Sequence, residues 1–212
     1  PENRGVLAID YLLPFVQNCE YFLNTNDDMV FQKGFSDKLI KAMEKYYPCS
    51  VSLGLVENFA SNNDCVSVDI ELKNILDEVS TSSFQKRAAD GEYDRSHHIV
   101  GYNHPICVKR EDYLKVGGYS GDWDMDFYSG YGRDDMFPLL LKSSNKEFIF
   151  ITLKDVHVYH QSSATMRKLK KLNPELASQH NQDTFENKTK IPLYEFKEMI
   201  QIHSPYLDKQ YD

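Results

Sequence analysis

The sequence predicts an α/β sandwich in which a mixed central sheet is flanked by helices. Short apolar runs of strand length alternate along the chain with segments whose apolar residues recur at helical spacing. Each predicted strand ends in a polar loop, an alternation that is typical of α/β domains. The 212 residues, 41% of them hydrophobic, suit one globular domain over 1–212 with a core of its own.

The first third of the chain supplies two helices and two strands. Residues 5–18 have roughly helical apolar spacing, with a bend or end expected at Pro14. A short buried strand at 21–23 runs into the polar turn 24–28. The next helix, 35–46, has apolar residues along one face and Ser36 as a potential N-cap. Pro48 closes this helix, and the alternating segment 49–56 is predicted to be a strand.

The rest of the chain continues the alternation. We expect a helix within 70–79, a polar mobile loop at 80–90 and an extended segment at 98–108. A short helix, 109–116, should stop at a glycine C-cap formed by Gly117 and Gly118. A glycine- and aromatic-rich loop is expected at 121–133, followed by a helix at 134–142. Two β runs, 147–153 and 156–160, come next, and a last helix is expected near 193–202. The tail from about 162 is expected to wrap the domain.

Composition excludes several classes of partner. A formal charge of −8 argues against nonspecific nucleic-acid binding through a basic surface. No segment approaches the roughly 20 apolar residues that a membrane span needs. The cysteines lack a CxxC pair, so a zinc site is not expected; Cys49 and Cys107 have the sequence context of small core residues, and disulfides remain open. Nothing at the N-terminus indicates a location, and cytoplasm and Golgi lumen both stay possible.

Three groups of residues could carry chemistry. Asn26, Asp27 and Asp28 follow a predicted strand, and oxygen ligands on a tight turn suit a hard cation such as Mg²⁺ or Mn²⁺. An Asx-rich turn without a ligand is the simpler alternative. Asp134 and Asp135 begin a helix after a glycine loop, where one carboxylate could act as a general base or both could simply complement the helix dipole.

The third group is the pair of histidines near the end of the last predicted strand, His157 and His160. Either imidazole could supply a nitrogen ligand to the same cation. Because the two residues are three positions apart on an extended segment, they should face opposite ways. We therefore expect one of them to reach the site and the other to be satisfied elsewhere.

The order of these features resembles the GT-A-fold glycosyltransferases, which transfer sugars from nucleoside-diphosphate donors. The resemblance spans roughly 3–188, starts with Asn3-Arg4-Gly5 and continues through 20–31, which resembles the stretch leading into the family's DxD motif. It is most specific where Gly117-Gly118-Tyr119 is followed by Gly130-Tyr131-Gly132-Arg133-Asp134-Asp135. Val158-Tyr159-His160 is similar to the strand end that carries the family's metal-binding histidine.

This resemblance implies roles for individual residues. Asp28 is the principal metal ligand with Asp27 beside it, and His160 is the third ligand, with His157 as the alternative. Asn26 stands where the family usually has its first Asp, and it contacts the donor with Asp27 and the backbone of Gly117 and Gly118. On the acceptor side, the implied residues are the general base Asp135, its neighbour Asp134, which also holds the acceptor sugar, and the aromatic side chains of Trp123 and Tyr131.

The function that the resemblance implies is metal-dependent sugar transfer, with Mn²⁺ or Mg²⁺ as the cofactor. The expected donor is a nucleotide-sugar that carries uridine diphosphate. The acceptor is a carbohydrate or other hydroxyl, and Asp135 as base favours inversion. Family members begin with a strand–helix unit that this sequence lacks. We favour a fragment; the alternatives are that the missing part is supplied by other means or that binding of the nucleoside base is lost. A non-catalytic carbohydrate-binding derivative and a metal-dependent phosphohydrolase are the alternatives.

Overall fold

The described part of the chain is mixed α/β, as the sequence predicts. The structure, a computed structural model, describes residues 13–15, 17–26, 28–58, 66–68, 78–94, 105–118, 133–160, 183, 186–187, 190–192 and 194–195. Its strands are β1 (Tyr21–Asn24), β2 (Met29–Phe31), β3 (Cys49–Asn58), β4 (Val66–Val68), β5 (Ile106–Lys109) and β6 (Ile149–His160). Its helices are α1 (Phe35–Tyr46), α2 (Glu78–Ala89), α3 (Arg110–Lys115) and α4 (Arg133–Ser144).

The strands form one mixed sheet in the order β1-β5-β3-β6-β2, with β4 paired to the end of β3. Strand β3 is parallel to both β4 and β6, whereas the edge strand β2 is antiparallel to β6. In β6, buried runs lie on either side of Lys154 and Asp155. Strands covered on both faces need continuous apolar runs rather than alternation, which explains the composition of β6.

The described residues belong to two compact units, one with α3 and α4 and the other with β2, β3, β4, β6, α1 and α2. In the first unit, the ring of Tyr113 on α3 packs against Phe22 and Phe137 at centroid distances of 5.3 and 5.2 Å. Helix α3 ends as predicted, because Gly117 and Gly118 have φ angles of 81° and 64° and the Gly118 N–H donates to the Tyr113 carbonyl.

In the second unit, helix α1 has the predicted bounds but not the predicted cap. Leu39, Ala42 and Met43 are buried at helical spacing, so one apolar face of α1 drives its packing. The N-cap position is Gly34 at φ 75°, and no side chain caps the helix there. The prediction that Ser36 caps α1 is therefore wrong, because the chain enters the helix through a left-handed glycine and Ser36 already lies within the first turn.

The predicted mobile loop at 80–90 is also wrong, because Glu78–Ala89 form helix α2. Phe84 and Ala88, four residues apart, are buried in a cluster with Val56, Tyr93 and Tyr159. Lys86, between them, is exposed, so packing of a narrow apolar stripe stabilises a helix whose composition is otherwise weak. Gln85 also joins α2 to the edge strand, because its amide donates to the Phe31 carbonyl at 2.7 Å and its oxygen accepts from the Lys33 N–H at 2.8 Å.

Other predictions are confirmed or fall outside the described residues. Helix α4 contains the predicted 134–142, and the two β runs 147–153 and 156–160 are one strand with an irregularity between them. Cys49 and Cys107 are buried core residues, and burial raises the pKa of the Cys107 thiol to about 12. No helix in the described part could span a bilayer. Most of the predicted helices 5–18, 70–79 and 193–202, the loop 121–132 and the segment 98–104 lie outside the described residues.

Candidate functional site

The sheet brings three polar residues together at one end of the second unit. His160, the last residue of β6, is the cross-strand partner of Glu57 on β3 and of Met29 on β2. Asp28 directly precedes Met29, so it lies beside the same histidine. The candidate site therefore consists of Asp28, Glu57 and His160, which we call the carboxylate–histidine trio.

A β-bulge sets this register. Up to Leu53, each β3 residue pairs with the β6 residue 100 positions later in the chain. Gly54 pairs with His157, so from Gly54 onward the paired residues are 103 positions apart. The three intervening residues, Lys154–Val156, form the bulge, and Lys38 on α1 pairs with Asp155 there at 2.9 Å. Had the first register continued, Glu57 would face His157 instead of His160.

Both ring nitrogens of His160 face a carboxylate. The Nδ1 atom lies 2.5 Å from Glu57 Oε1, and the Nε2 atom lies 3.3 Å from Asp28 Oδ1. The side chains of His160 and Glu57 are mostly buried, at 17% and 14% exposed, and that of Asp28 is 37% exposed. The contact with Asp28 is an ion pair without hydrogen-bond alignment, so the buried Oδ1 has no hydrogen-bond partner among the described atoms.

The charge balance of the trio explains its protonation. Burial alone would lower the pKa of His160, but the carboxylates of Asp28 and Glu57 favour its charged form and together raise that pKa to about 9. At neutral pH the imidazole therefore carries a proton on each nitrogen. Two carboxylates around one imidazolium leave a net charge of −1, so the trio still attracts a further positive charge.

His157 lies in a different, apolar environment. Its side chain is fully buried, and its backbone N–H and its Nδ1 atom lie 2.8 and 3.3 Å from Gln32 Oε1. The ring packs against Tyr93, and Nε2 lies 3.7 Å from Asp94 Oδ1. Burial lowers the pKa of His157 to about 4, so it is neutral. Of the two histidines in the sequence prediction, His160 is the one beside Asp28.

The remaining predicted residues are placed as follows. Asn26 is exposed, and Asp27 lies outside the described residues. Gly117 and Gly118 form the C-terminal turn of α3, with Gly118 buried. Asp134 and Asp135 lie in the first turn of α4, but their side chains are outside the description, as are Trp123 and Tyr131. Among the candidates whose side chains the structure describes, Asp28 and His160 are the two that it brings together.

Glu57 is the functional candidate that sequence reasoning missed. The sequence predicts a strand over 49–56, and Glu57 follows that segment directly. An acidic residue at the end of a buried strand is the same signal that drew attention to Asp28. The partner of Glu57 could not be deduced, however, because the pairing depends on the bulge in β6.

The trio has the donor types of a cation site but is not a complete one. Within the described ranges, no group of three or more His, Cys, Asp and Glu side chains is arranged to hold a metal ion. Asp28 and His160 nevertheless offer an oxygen and a nitrogen close together, and Asp28 Oδ1 is a buried acceptor lacking a hydrogen bond. Mg²⁺ and related ions are often held by only one or two protein groups, with phosphates and water as the other ligands.

Comparisons of the chain with protein-family models, with curated proteins and with solved structures found no match.

Proposed function

We propose that the chain is a metal-dependent glycosyltransferase with a GT-A-type sheet, acting on a nucleoside-diphosphate sugar. The observation that supports this most strongly is the proximity of Asp28 and His160, 132 positions apart in sequence and 3.3 Å apart in space. The sequence resemblance assigns metal binding to these same two residues. The mixed α/β sheet, with an acidic turn after β1, fits the same proposal.

Asp28 and His160 supply an oxygen and a nitrogen that suit a divalent cation, and Glu57 lies beside them. A cation bound to Nε2 of His160 would displace the proton from that nitrogen, and one dication would then balance the negative charge of the two carboxylates. A nitrogen ligand beside an oxygen ligand favours Mn²⁺ over Mg²⁺, since Mg²⁺ prefers oxygen alone and imidazole binds later first-row metals better. When bound, such an ion neutralises the negative charge that develops on a departing diphosphate.

We assign separate roles to the residues at the proposed donor and acceptor sites. Asp28 and His160 would hold the ion, and Asp27 and Asn26 lie next to them in sequence for contacts with the donor. Asp135 is proposed to accept the proton of the attacking acceptor hydroxyl, which gives inversion at the anomeric carbon.

The acceptor sugar is proposed to contact Asp134, Trp123 and Tyr131, because flat aromatic faces and carboxylates suit sugar rings. The backbone of Gly117 and Gly118 would lie beside the donor sugar. These assignments follow the sequence resemblance.

Thermal unfolding with Mn²⁺ and uridine diphosphate tests the donor site. A ligand that binds only the folded state, at a hundred times its dissociation constant, stabilises it by about 3 kcal/mol. We expect a rise in Tm for the parent and for the control Glu44→Ala, whose exposed acid lies on α1. Asp28→Asn and His160→Ala should lose this rise. Absence of any shift in the parent, or equal shifts in all four proteins, would contradict the proposal.

Transfer itself is tested with Asp135→Asn. The variant should bind Mn²⁺ and the nucleotide normally but lose transfer to a glycan acceptor by at least about a hundredfold, the usual scale of general-base catalysis. Unchanged transfer would exclude Asp135 as the base. Glycan binding that needs no metal, together with no transfer by the parent, would instead favour the non-catalytic derivative.

A further inference from the structure

Glu57 has a contact that the proposed function does not use. Its carboxylate oxygen lies 2.5 Å from Nδ1 of His160, whereas Asp28 faces Nε2. The two nitrogens lie on opposite edges of an imidazole ring, so the two carboxylates approach His160 from different sides. Glu57 therefore contacts the ring nitrogen that faces away from Asp28.

We propose that Glu57 is a positioning residue that fixes the orientation of the His160 ring, so that Nε2 is presented to a divalent cation beside Asp28. This inference rests on the proposed metal site. A histidine that binds a metal through one nitrogen commonly donates its other N–H to a carboxylate, which fixes the ring orientation and makes the ligand more basic. The arrangement of Glu57, His160 and Asp28 has this order of contacts.

Strand pairing places Glu57 beside His160. Glu57 and His160 are directly paired residues on neighbouring parallel strands, and both side chains are largely buried. Residues paired across a sheet keep their side chains on the same face at short distance. The contact therefore comes from the strand register, and the bulge at Lys154–Val156 sets that register.

A competing role for Glu57 is direct ligation of the ion. That role requires its oxygen on the Nε2 side of the ring, together with Asp28. The observed contact is with Nδ1, on the far edge. A third possibility, a general contribution of negative charge, would not depend on the hydrogen bond at all. These three roles predict different behaviour when the charge and the hydrogen-bond acceptor are removed separately.

The experiment measures Mn²⁺ affinity by electron paramagnetic resonance, with and without uridine diphosphate. Glu57→Gln removes the charge but keeps an oxygen that can accept the Nδ1–H, whereas Glu57→Ala removes both. We expect Glu57→Ala to weaken Mn²⁺ binding by about 10- to 100-fold. Glu57→Gln should recover most of that loss, and Glu44→Ala should match the parent. Unfolding without metal verifies that each variant is folded.

The outcomes separate this inference from the function on which it rests. If the parent binds no Mn²⁺, both fail. If the parent binds Mn²⁺ and Asp28→Asn does not, the metal site stands, and unchanged affinity in Glu57→Ala overturns the positioning role alone. Equal losses in Glu57→Gln and Glu57→Ala would also overturn it, because the charge or direct ligation would then be what matters.

Discussion

Raising the pH of the metal-free protein from 7 to 9.5 should destabilise it through His160. The pKa of His160 is raised from 6.5 to about 9 in the folded chain, because Asp28 and Glu57 outweigh the effect of burial. The folded state therefore binds this proton more tightly than the unfolded state. The stabilisation is fully present below pH 6.5 and is lost as the pH rises through about 9. Its full size is about 3 kcal/mol, of which about 2 kcal/mol disappears between pH 7 and 9.5.

Urea-induced unfolding at the two pH values measures this loss, with a chelator present to exclude metal. The comparison is with His160→Gln, which cannot titrate at this position. All other titratable groups are common to both proteins, so the difference between the two pH effects reports on His160. If the free energy of unfolding fell by the same amount in the parent and the variant, to within about 0.5 kcal/mol, the conclusion that Asp28 and Glu57 raise the pKa of His160 would be refuted.

Two further predictions concern the second unit. His157 should act in the opposite sense: its pKa is lowered from 6.5 to about 4 by burial, so its stability contribution is complete above pH 6.5 and is lost as the pH falls towards 4. Urea unfolding at pH 7 and 5 should show about 2 kcal/mol more acid-induced loss in the parent than in His157→Gln, and equal losses would contradict this. Phe84→Ala should cost about 3–5 kcal/mol because the ring is fully buried under α2. The exposed neighbour variant Ser83→Ala should change stability by less than about 0.5 kcal/mol, and similar effects of the two would argue against a packed helix at 78–89.

The parts of the fold that sequence predicted well are those whose signal is local. The apolar face of α1 and the C-terminal glycine turn of α3 can each be recognised within a dozen residues. Helical periodicity of apolar residues and a glycine at the end of a helix are both visible in the local sequence. Helix α2 was missed for the opposite reason. Among its described side chains, Phe84 and Ala88 are the buried apolar ones, and the contacts that stabilise it come from β2, β3, β6 and the turn at Tyr93.

The candidate site was predictable to a similar extent. Asp28 and His160 could be nominated from residue type and from their positions at the ends of predicted strands. Their proximity depends on the antiparallel pairing of β2 with β6, and the contact of Glu57 depends on the parallel pairing of β3 with β6. Strand pairing joins residues more than a hundred positions apart, and a three-residue irregularity decides which histidine faces Glu57. Neither fact is encoded in a local pattern.

The bulge in β6 also has a consequence for how the chain tolerates changes in length. Joining Leu153 directly to His157 would convert the two registers into one regular ladder, since Leu53 already pairs with Leu153 and Gly54 with His157. A deletion of 154–156 would thus leave His160 opposite Glu57, and its direct cost would include the burial of Val156 and the partly exposed Lys38–Asp155 ion pair, the latter worth about 1 kcal/mol or less. The pairing on either side of this segment therefore does not depend on the number of residues that the segment contains.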